Sequence, residues 1–166
     1  MEKKYEFTGE TAEFKGVTLH RIRALRDFGD VKKGDLGGFI EHEDNLSHEG
    51  NCWVGGSYIP CATGYVYGNA KIYENAKVYG NARVYDNAEV FGNTYIMGPA
   101  RIYNNVKIYD NAIISGCFVG NVEIFGDAKV YENARIYDEV KISQNAEVCG
   151  LANIRGNTRI PQDIKI

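Results

Sequence analysis

Valine and isoleucine recur at every sixth residue through the carboxyl-terminal part of the chain. One run extends from Val66 to Ile114 and a second from Ile124 to Ile166. Four residues after almost every one comes a small or modest apolar residue, such as Ala70. Six residues are too few for a helix-bearing repeat, and β-branched residues at strict spacing favour short strands joined by tight corners. The pattern predicts an all-β chain of stacked triangular coils, with three hexads to a coil.

An asparagine precedes the small residue in most hexads, and Gly, Asp, Glu, Asn or Gln stands before that asparagine, as in Gly68 and Glu74. Asparagine tolerates a left-handed backbone better than most residues. We therefore expect the asparagine to be the left-handed residue of each corner. These residues are Asn69, Asn75, Asn81, Asn87, Asn93, Asn105, Asn111, Asn133, Asn145 and Asn157.

The repeat breaks once, between Ile114 and Ile124, where ten residues stand in place of the twelve that two hexads require. We interpret this as a loss of two residues, with Phe118 serving both as a corner residue and as an aliphatic position. The interpretation predicts a tightened corner near 116–120. It leaves open whether the irregularity is a tolerated defect or a groove.

The first fifty residues do not fit the hexad pattern. Phe14-Lys15-Gly16-Val17 is typical of a hairpin turn, and it predicts strands near 5–8 and 17–25. A glycine-rich segment follows. Because an open coil end exposes unpaired backbone groups, we expect residues 1–50 to form a cap of hairpin and loop, and residues 51–166 to form the helix. Ligand binding by the loop is the alternative.

The hexads over 66–166 resemble those of left-handed parallel β-helix proteins. The pairs Asp27-Phe28 and Asp30-Val31, the run Gly37-Gly38-Phe39 and the pair Cys52-Trp53 resemble the amino-terminal part of the YdcK-like hexapeptide-repeat proteins, which include short members from phages and mobile elements. The resemblance implies the left hand of the helix and a homotrimer. It implies little about activity, because one fold supports many functions.

The best-known activity of the resembled fold is acyl transfer, which uses a histidine general base beside the coils. Here His20, His42 and His48 all precede the regular coils. The four cysteines show no Cys-x-x-Cys spacing, so neither a metal site nor a disulfide framework is indicated. We expect no catalytic residue, no bound metal and no cofactor. An acyltransferase-like enzyme is retained as the last alternative.

Aromatic residues directly follow the aliphatic ones and should point outward, because the pleat alternates faces. Spacing of one coil predicts one wall with Tyr67, Tyr85 and Tyr103 and a second with Tyr73, Phe91 and Tyr109. The third wall, with Tyr79, Met97 and Ser115, loses its rings. The candidate ligand-binding residues are Tyr67, Tyr73, Tyr85, Tyr103 and Tyr109, with Arg83 and Arg101 on the coils and Arg21, Arg23 and Arg26 in the first fifty residues.

The formal net charge is -3, from 19 Lys+Arg and 22 Asp+Glu. Since acidic and basic residues balance in the repeats, a long nucleic acid is not an expected partner. No apolar run is long enough for a membrane helix and no signal peptide is evident, so the cytoplasm is the expected compartment.

These observations predict a non-catalytic β-helix of bacterial or phage origin that acts as a binding or scaffold protein. It is expected to assemble with copies of itself through its aromatic walls, either as the homotrimer that the resemblance implies or as an end-to-end oligomer. One alternative is a phage-type anti-defence protein that sequesters a small nucleotide-like host signal between subunits. A host protein is a further candidate partner.

Overall fold

The computed structural model describes residues 2–56, 60–61, 64–161 and 163–166, and almost all regular structure within them is β. One 3-10 helix covers Glu43–Asn45. The strands are β1 (Tyr5–Phe14), β2 (Val17–Ala24), β3 (Leu36–Ile40), β4 (Trp53–Val54), β5 (Pro60–Cys61), β6 (Tyr65–Val66), β7 (Lys71–Ile72), β8 (Lys77–Val78), β9 (Arg83–Val84), β10 (Glu89–Val90), β11 (Tyr95–Met97), β12 (Ala100–Ile102), β13 (Lys107–Ile108), β14 (Ile113–Gly116), β15 (Val122–Ile124), β16 (Lys129–Val130), β17 (Arg135–Asp138), β18 (Lys141–Ile142), β19 (Glu147–Val148), β20 (Asn153–Ile154) and β21 (Arg159–Ile160).

Three parallel sheets form the sides of a left-handed parallel β-helix of about six coils, which confirms the predicted fold class. We call them the first, second and third face. The first face contains β6, β9, β12, β15, β18 and β21; the second contains β4, β7, β10, β13, β16 and β19; the third contains β8, β11, β14, β17 and β20. Equivalent residues of successive coils pair directly, as Val66 does with Val84.

The aliphatic residue of each hexad points into the helix. Val84, Ile102 and Ile124 are completely buried on the first face, and alanines such as Ala88 fill the corners beside them. Burial of a Val or Ile side chain stabilises a fold by roughly 1.5–3 kcal/mol. The stacked coils therefore gain their stability from one continuous apolar column, which no single coil could form.

The left-handed residue of the corners is not the one expected. It is the residue before the asparagine, with φ of 56° at both Glu74 and Asp86 and 68° at Gly68. Asn81 is the exception within the predicted set, with φ of 68°. The left-handed residue thus lies one position before the asparagine. The asparagine side chain instead hydrogen-bonds to the next coil.

The asparagines form ladders of side-chain amides that run from coil to coil. Asn69 donates from Nδ2 to Oδ1 of Asn87 at 3.1 Å, and Asn87 donates to Asn105 at 3.1 Å. A second ladder runs from Asn75 through Asn93, again at 3.1 Å. Each amide can donate to one coil and accept from the other, so the same residue recurs at each corner.

The interpretation of the register break as a loss of two residues was wrong. Ile102 pairs with Ile124, which lies 22 residues ahead instead of 18. A complete hexad is present as Ile114-Ser115-Gly116 and Asn121-Val122-Glu123, and four residues, 117–120, are inserted between its glycine and its asparagine. The buried Val122 fills the small apolar position.

The four inserted residues form a tight turn that projects from the corner. The backbone N–H of Cys117 donates to Gly120 O at 3.2 Å, and that of Gly120 donates to Cys117 O at 3.3 Å. Phe118 and Val119 at the tip are fully exposed, with 107% and 94% relative accessibility. Phe118 therefore occupies neither a corner nor an aliphatic position, contrary to the expectation.

The amino-terminal hairpin is confirmed. β1 and β2 are antiparallel and turn at Lys15 and Gly16, whose φ angles are 49° and 79°. β3 pairs with β2, and β5 continues this sheet in parallel. Tyr5, Ile22 and Ile40 join the same buried cluster as the aliphatic column, so the hairpin sheet closes onto the first coil.

Within the part of the chain that the structure describes, no helix has the length and apolar character needed to span a membrane.

Candidate binding surface

The first face carries a column of parallel aromatic rings. Successive ring centroids of Tyr67, Tyr85, Tyr103 and Phe125 lie 4.7, 5.0 and 5.3 Å apart, with interplanar angles of 5°, 5° and 8°. The pleat turns these side chains outward, so one edge of each ring meets solvent. Tyr67, at the amino-terminal end of the column, is 37% exposed. The predicted stack is present, and it extends one ring further than expected.

A charged column lies beside these rings on the same face. In register it contains Tyr65, Arg83, Arg101, Glu123, Lys141 and Arg159. Arg101 and Lys141 share the carboxylate of Glu123, at 3.6 and 3.0 Å. Arg83 stands directly against Arg101, an arrangement that is unfavourable for like charges. Among the described residues Arg83 has no ion pair, and its guanidinium lies 5.9 Å from the Tyr65 ring centroid. The face therefore holds an uncompensated positive charge beside the rings.

The tyrosine hydroxyls of this column stay protonated at neutral pH. Burial raises the pKa of Tyr67, Tyr85 and Tyr103, and the neighbouring Arg101 opposes that rise in part. The column consequently offers neutral hydroxyl groups and ring edges next to a cationic strip. Such a surface combines apolar contact with hydrogen bonding, as protein interfaces commonly do.

The second face has a similar ring column but different electrostatics. Its rings are Tyr73, Phe91, Tyr109 and Tyr131, with centroid separations of 4.8, 5.1 and 5.0 Å.

Most of the charges beside the second-face rings are paired. Lys107 lies 3.7 Å from Glu89 and Lys129 lies 3.1 Å from Glu147, whereas Lys71 bonds to Asp30 of the amino-terminal loop at 2.8 Å. Tyr73 donates to Glu89 at 3.2 Å, and burial together with that carboxylate raises the pKa of Tyr73 to about 12. Tyr73 and Tyr109 follow strands of the second face, whereas Arg83 and Arg101 lie on the first. The structure therefore does not bring these candidate residues together on one face.

The third face is partly covered by the hairpin. Phe14 packs edge-on against Tyr79 at 5.4 Å between centroids, and the Lys15 ammonium lies 4.3 Å from the same ring. The Tyr79 hydroxyl contacts the sulfur of Met97 at 3.3 Å. Met97 and Ser115 follow Tyr79 in this column, as the sequence predicted, and a ring returns at Tyr137, which pairs with Ser115.

The three candidate arginines of the first fifty residues lie in the hairpin sheet and the loop that follows it. Arg21 pairs with Glu10 at 3.0 Å, and Arg23 donates from Nε to Glu6 at 3.1 Å. Arg26 donates to the backbone oxygen of His48 at 3.4 Å. Arg21 and Arg23 are thus paired with carboxylates of the hairpin, whereas Nε of Arg26 is buried without a hydrogen-bond partner among the described residues.

A cleft of ≈ 430 Å³ opens where the amino-terminal segment meets the first face. Tyr65, Tyr67 and Arg83 form its wall on the coils. Glu43, Asp44, Ser47 and His48 of the amino-terminal segment complete its lining. The cleft therefore has one candidate tyrosine, Tyr67, and one candidate arginine, Arg83, in the same lining.

His48 is the histidine that borders this cleft. Its Nδ1 accepts a hydrogen bond from the backbone N–H of Lys4 at 3.1 Å, and its ring stacks on Tyr5 at 4.3 Å. Burial lowers the pKa of His48, and Nε2 lies 3.8 Å from Glu43. Because the backbone N–H occupies the lone pair of Nδ1, neutral His48 carries its proton on Nε2 and offers no free base nitrogen.

The other two histidines are engaged elsewhere. His20 stacks on Phe7 at 4.9 Å, and Nε2 of His42 lies 3.2 Å from Glu41. Among the described residues, no group of three or more histidine, cysteine or acidic side chains is arranged to hold a metal ion.

No protein-family model matches the chain. Among curated proteins, it is similar to one from Escherichia coli strain K12 that bears the name uncharacterized acetyltransferase YdcK. The two are 40% identical over an alignment of 60 positions, which takes in 31% of this chain and 18% of that relative. Together with the coil structure, the match fits a hexapeptide-repeat β-helix protein. It spans a small part of the relative, so the relative's named activity is not carried over.

The sequence reasoning recognised that rings follow the aliphatic residues but did not assign Phe125 and Tyr131 to the two ring columns, which they extend. Both follow the inserted turn, where the register was misread. The intact hexad on either side of 117–120 was the signal that would have located them.

Proposed function

We propose that this protein is a non-catalytic β-helix that assembles with copies of itself through the ring column of its first face. The carrying observation is the column itself, Tyr67 to Phe125, whose four parallel rings leave their outer edges uncovered beside Arg83 and Arg101. Tyrosine and arginine are enriched where protein interfaces have their strongest contacts. A trimer is the assembly that the family resemblance implies.

The first face suits this role better than the other two. On the second face most charges flanking the rings are paired within the chain, and on the third the hairpin packs against Tyr79. The first face carries Arg83, which has no ion pair within the part of the chain that the structure describes. A second copy could cover the ring edges and place a carboxylate or a carbonyl group against that guanidinium.

The double substitution Tyr85→Glu and Tyr103→Glu tests this proposal by placing two carboxylates in the centre of the column. We expect light scattering to report folded monomers, since the ring area is lost and the new carboxylates can pair with Arg83 and Arg101 within the chain, which removes both contacts that a second copy would use. The matched control is Tyr95→Glu with Tyr137→Glu on the third face, which should keep the parent mass. Circular dichroism establishes that both variants are folded. An unchanged mass for the first-face variant refutes the proposed interface.

A small anionic ligand with an aromatic ring is the second candidate, supported by the cleft at Tyr65, Tyr67 and Arg83. A base or similar ring could stack on a tyrosine while Arg83 neutralises a phosphate. Glu43 and Asp44 also line the cleft, so the negative groups of such a ligand have to lie toward Arg83. This candidate corresponds to sequestration of a nucleotide-like signal.

Thermal-shift measurements with linear and cyclic nucleotides test the second candidate. A ligand should raise Tm in the parent protein and in Arg23→Ala, but not in Arg83→Ala, because Arg23 lies in the hairpin sheet. A flat response to the whole panel removes the hypothesis.

Acyl transfer is the least supported alternative, because the imidazole bordering the cleft has its acceptor nitrogen occupied. An activity with acyl-CoA that is lost in His48→Gln but kept in His20→Gln and His42→Gln would restore it.

A further inference from the structure

Lys4 is completely buried, which is rare for a lysine. It precedes β1, and its side chain enters the base of the first coil, where its Nζ donates to the backbone oxygens of Cys52 at 2.8 Å and Glu49 at 3.3 Å. Nζ also lies 3.1 Å from Sγ of Cys52, which is itself completely buried. The amine and the thiol are thus held in contact away from solvent.

The surroundings favour the uncharged forms of both groups. Among the described residues no carboxylate pairs with Lys4, and Nζ lies 5.0 Å from the centroid of the Phe28 ring. Burial lowers the pKa of Lys4 and raises the pKa of Cys52. The Lys4 amine therefore loses its proton more readily than an exposed lysine does, and a neutral nitrogen has the lone pair that bonding to oxygen requires.

We propose that Lys4 and Cys52 are a modification site at which oxidation links Nζ to Sγ through a single bridging oxygen atom. Dioxygen is the oxidant. One N–H bond and the S–H bond break, and N–O and O–S bonds form with one oxygen atom. The other oxygen atom leaves as water with the two hydrogens. Nitrogen and sulfur each lose two electrons, and dioxygen gains four.

The distance between Nζ and Sγ favours the oxygen-bridged product over a direct S–N bond. At 3.1 Å, Nζ and Sγ need to shift little to accept an oxygen atom between them. A direct S–N bond, such as a sulfenic acid forms with a backbone nitrogen, requires much closer approach. Two further cysteines differ: Cys117 and Cys149 are partly exposed, and Cys117 has the Gly120 oxygen as its contact at 3.7 Å.

The link would attach the start of the hairpin sheet to the first coil. It would close a loop between residues 4 and 52, and cross-links of this length stabilise a fold by restricting the unfolded chain. The cap would then be held more firmly under oxidising conditions than under reducing ones, independently of how the first face is used.

Intact mass measurement of the full chain, purified in air and compared with protein kept under dithiothreitol, tests the proposal. The air-exposed protein should be heavier by about 14 Da, the mass of one oxygen less two hydrogens, and dithiothreitol should remove the gain. Peptide mapping should join the Lys4 peptide to the Cys52 peptide. Cys52→Ser and Lys4→Met should lack the gain, and Cys117→Ser should keep it.

Because the peptide mapping is done on the parent protein, the test stays decisive even if a variant folds poorly. Mass gains of about 16 or 32 Da without a joined peptide indicate ordinary thiol oxidation and overturn the proposal. A loss of about 2 Da indicates a direct S–N bond and also overturns it, as does an unchanged mass. If the link forms, reduction should lower the Tm of the parent protein by roughly 10 °C and leave Cys52→Ser unaffected.

Discussion

Individual corner residues show how closely the coils approach one another. Gly98 and Gly150 have nearly the same left-handed backbone, with φ of 66° and 64°. A β-carbon at Gly98 would lie 2.3 Å from the backbone oxygen of Gly116, whereas at Gly150 the nearest atom is a side-chain oxygen of Glu132 at 3.8 Å. Glutamate and aspartate occupy the left-handed position at other corners, so a left-handed backbone alone does not require glycine. Gly98 differs from Gly150 because a backbone oxygen lies where its β-carbon would be.

The substitution Gly98→Ala should therefore destabilise the protein far more than Gly150→Ala. We expect a loss of about 3 kcal/mol or more at Gly98, from left-handed strain plus displacement of a backbone oxygen, and about 1 kcal/mol at Gly150 from strain alone. Urea unfolding followed by circular dichroism measures the difference. Equal losses would show that the coils do not pack at the spacing described.

His48 gives the stability of the amino-terminal segment a dependence on pH. Burial lowers its pKa in the folded state below the unfolded value of about 6.5, so the unfolded chain binds more protons between the two values. Neutral His48 makes its full contribution to the free energy of unfolding above about pH 6.5, and this contribution decreases as the pH falls below that value. Glu43 and the amino groups of Lys3 and Lys4 face the ring, and the hydrogen bond from Lys3 holds the pKa of Glu43 below its ordinary value, so Glu43 acts at lower pH than His48.

We expect the Tm of the parent protein to fall by a few degrees between pH 7.5 and pH 5.5, values chosen to bracket the unfolded pKa of about 6.5. His48→Gln keeps an acceptor for the Lys4 N–H but does not titrate, so its Tm should change less over that interval. Differential scanning calorimetry at the two pH values measures both. If the parent and the variant respond equally, His48 is not the group responsible.

At the scale of elements, the strands and faces could be predicted from the sequence and the corner details could not. The six-residue period determines which residues point inward, because burial of Val84 or Ile102 depends only on alternation within a short strand. Whether Asn69 or Gly68 takes the left-handed conformation depends on contacts with the next coil, and those contacts lie 18 residues away in the chain. The asparagine ladder became visible only when the coils were stacked.

The inserted turn is a second element whose role is testable. Removal of residues 117–120 joins Gly116 to Asn121 and leaves one regular hexad, Ile114-Ser115-Gly116-Asn121-Val122-Glu123. The four-residue turn is exposed and makes its mutual hydrogen bonds within itself, so its loss removes little buried surface.

The deletion variant should fold, with a Tm within a few degrees of the parent, because a short surface loop contributes little to stability. Far-ultraviolet circular dichroism and thermal unfolding measure this. A variant that aggregates or fails to fold would show that the turn is needed to close the corner and is not a simple insertion. A folded variant with an altered oligomeric mass would assign Phe118 or Val119 to a subunit contact.

In the whole molecule, the three faces of the helix differ in what covers them and in how their charges are paired. The hairpin packs on the third face, most charges of the second are paired within the chain, and the first face presents rings beside Arg83. The ring columns were predictable from spacing alone. The difference between the faces was not, because it depends on Asp30 reaching Lys71 and on Lys15 reaching Tyr79, and both contacts join the amino-terminal segment to distant coils.

Native mass spectrometry of the purified protein tests the central claim of self-assembly most directly, since one spectrum gives both the number of subunits and any retained ligand. The account predicts an integer multiple of the 18.5 kDa chain mass without additional mass, and a monomer for Tyr85→Glu with Tyr103→Glu. A parent protein that stays at 18.5 kDa over the full accessible concentration range would contradict it.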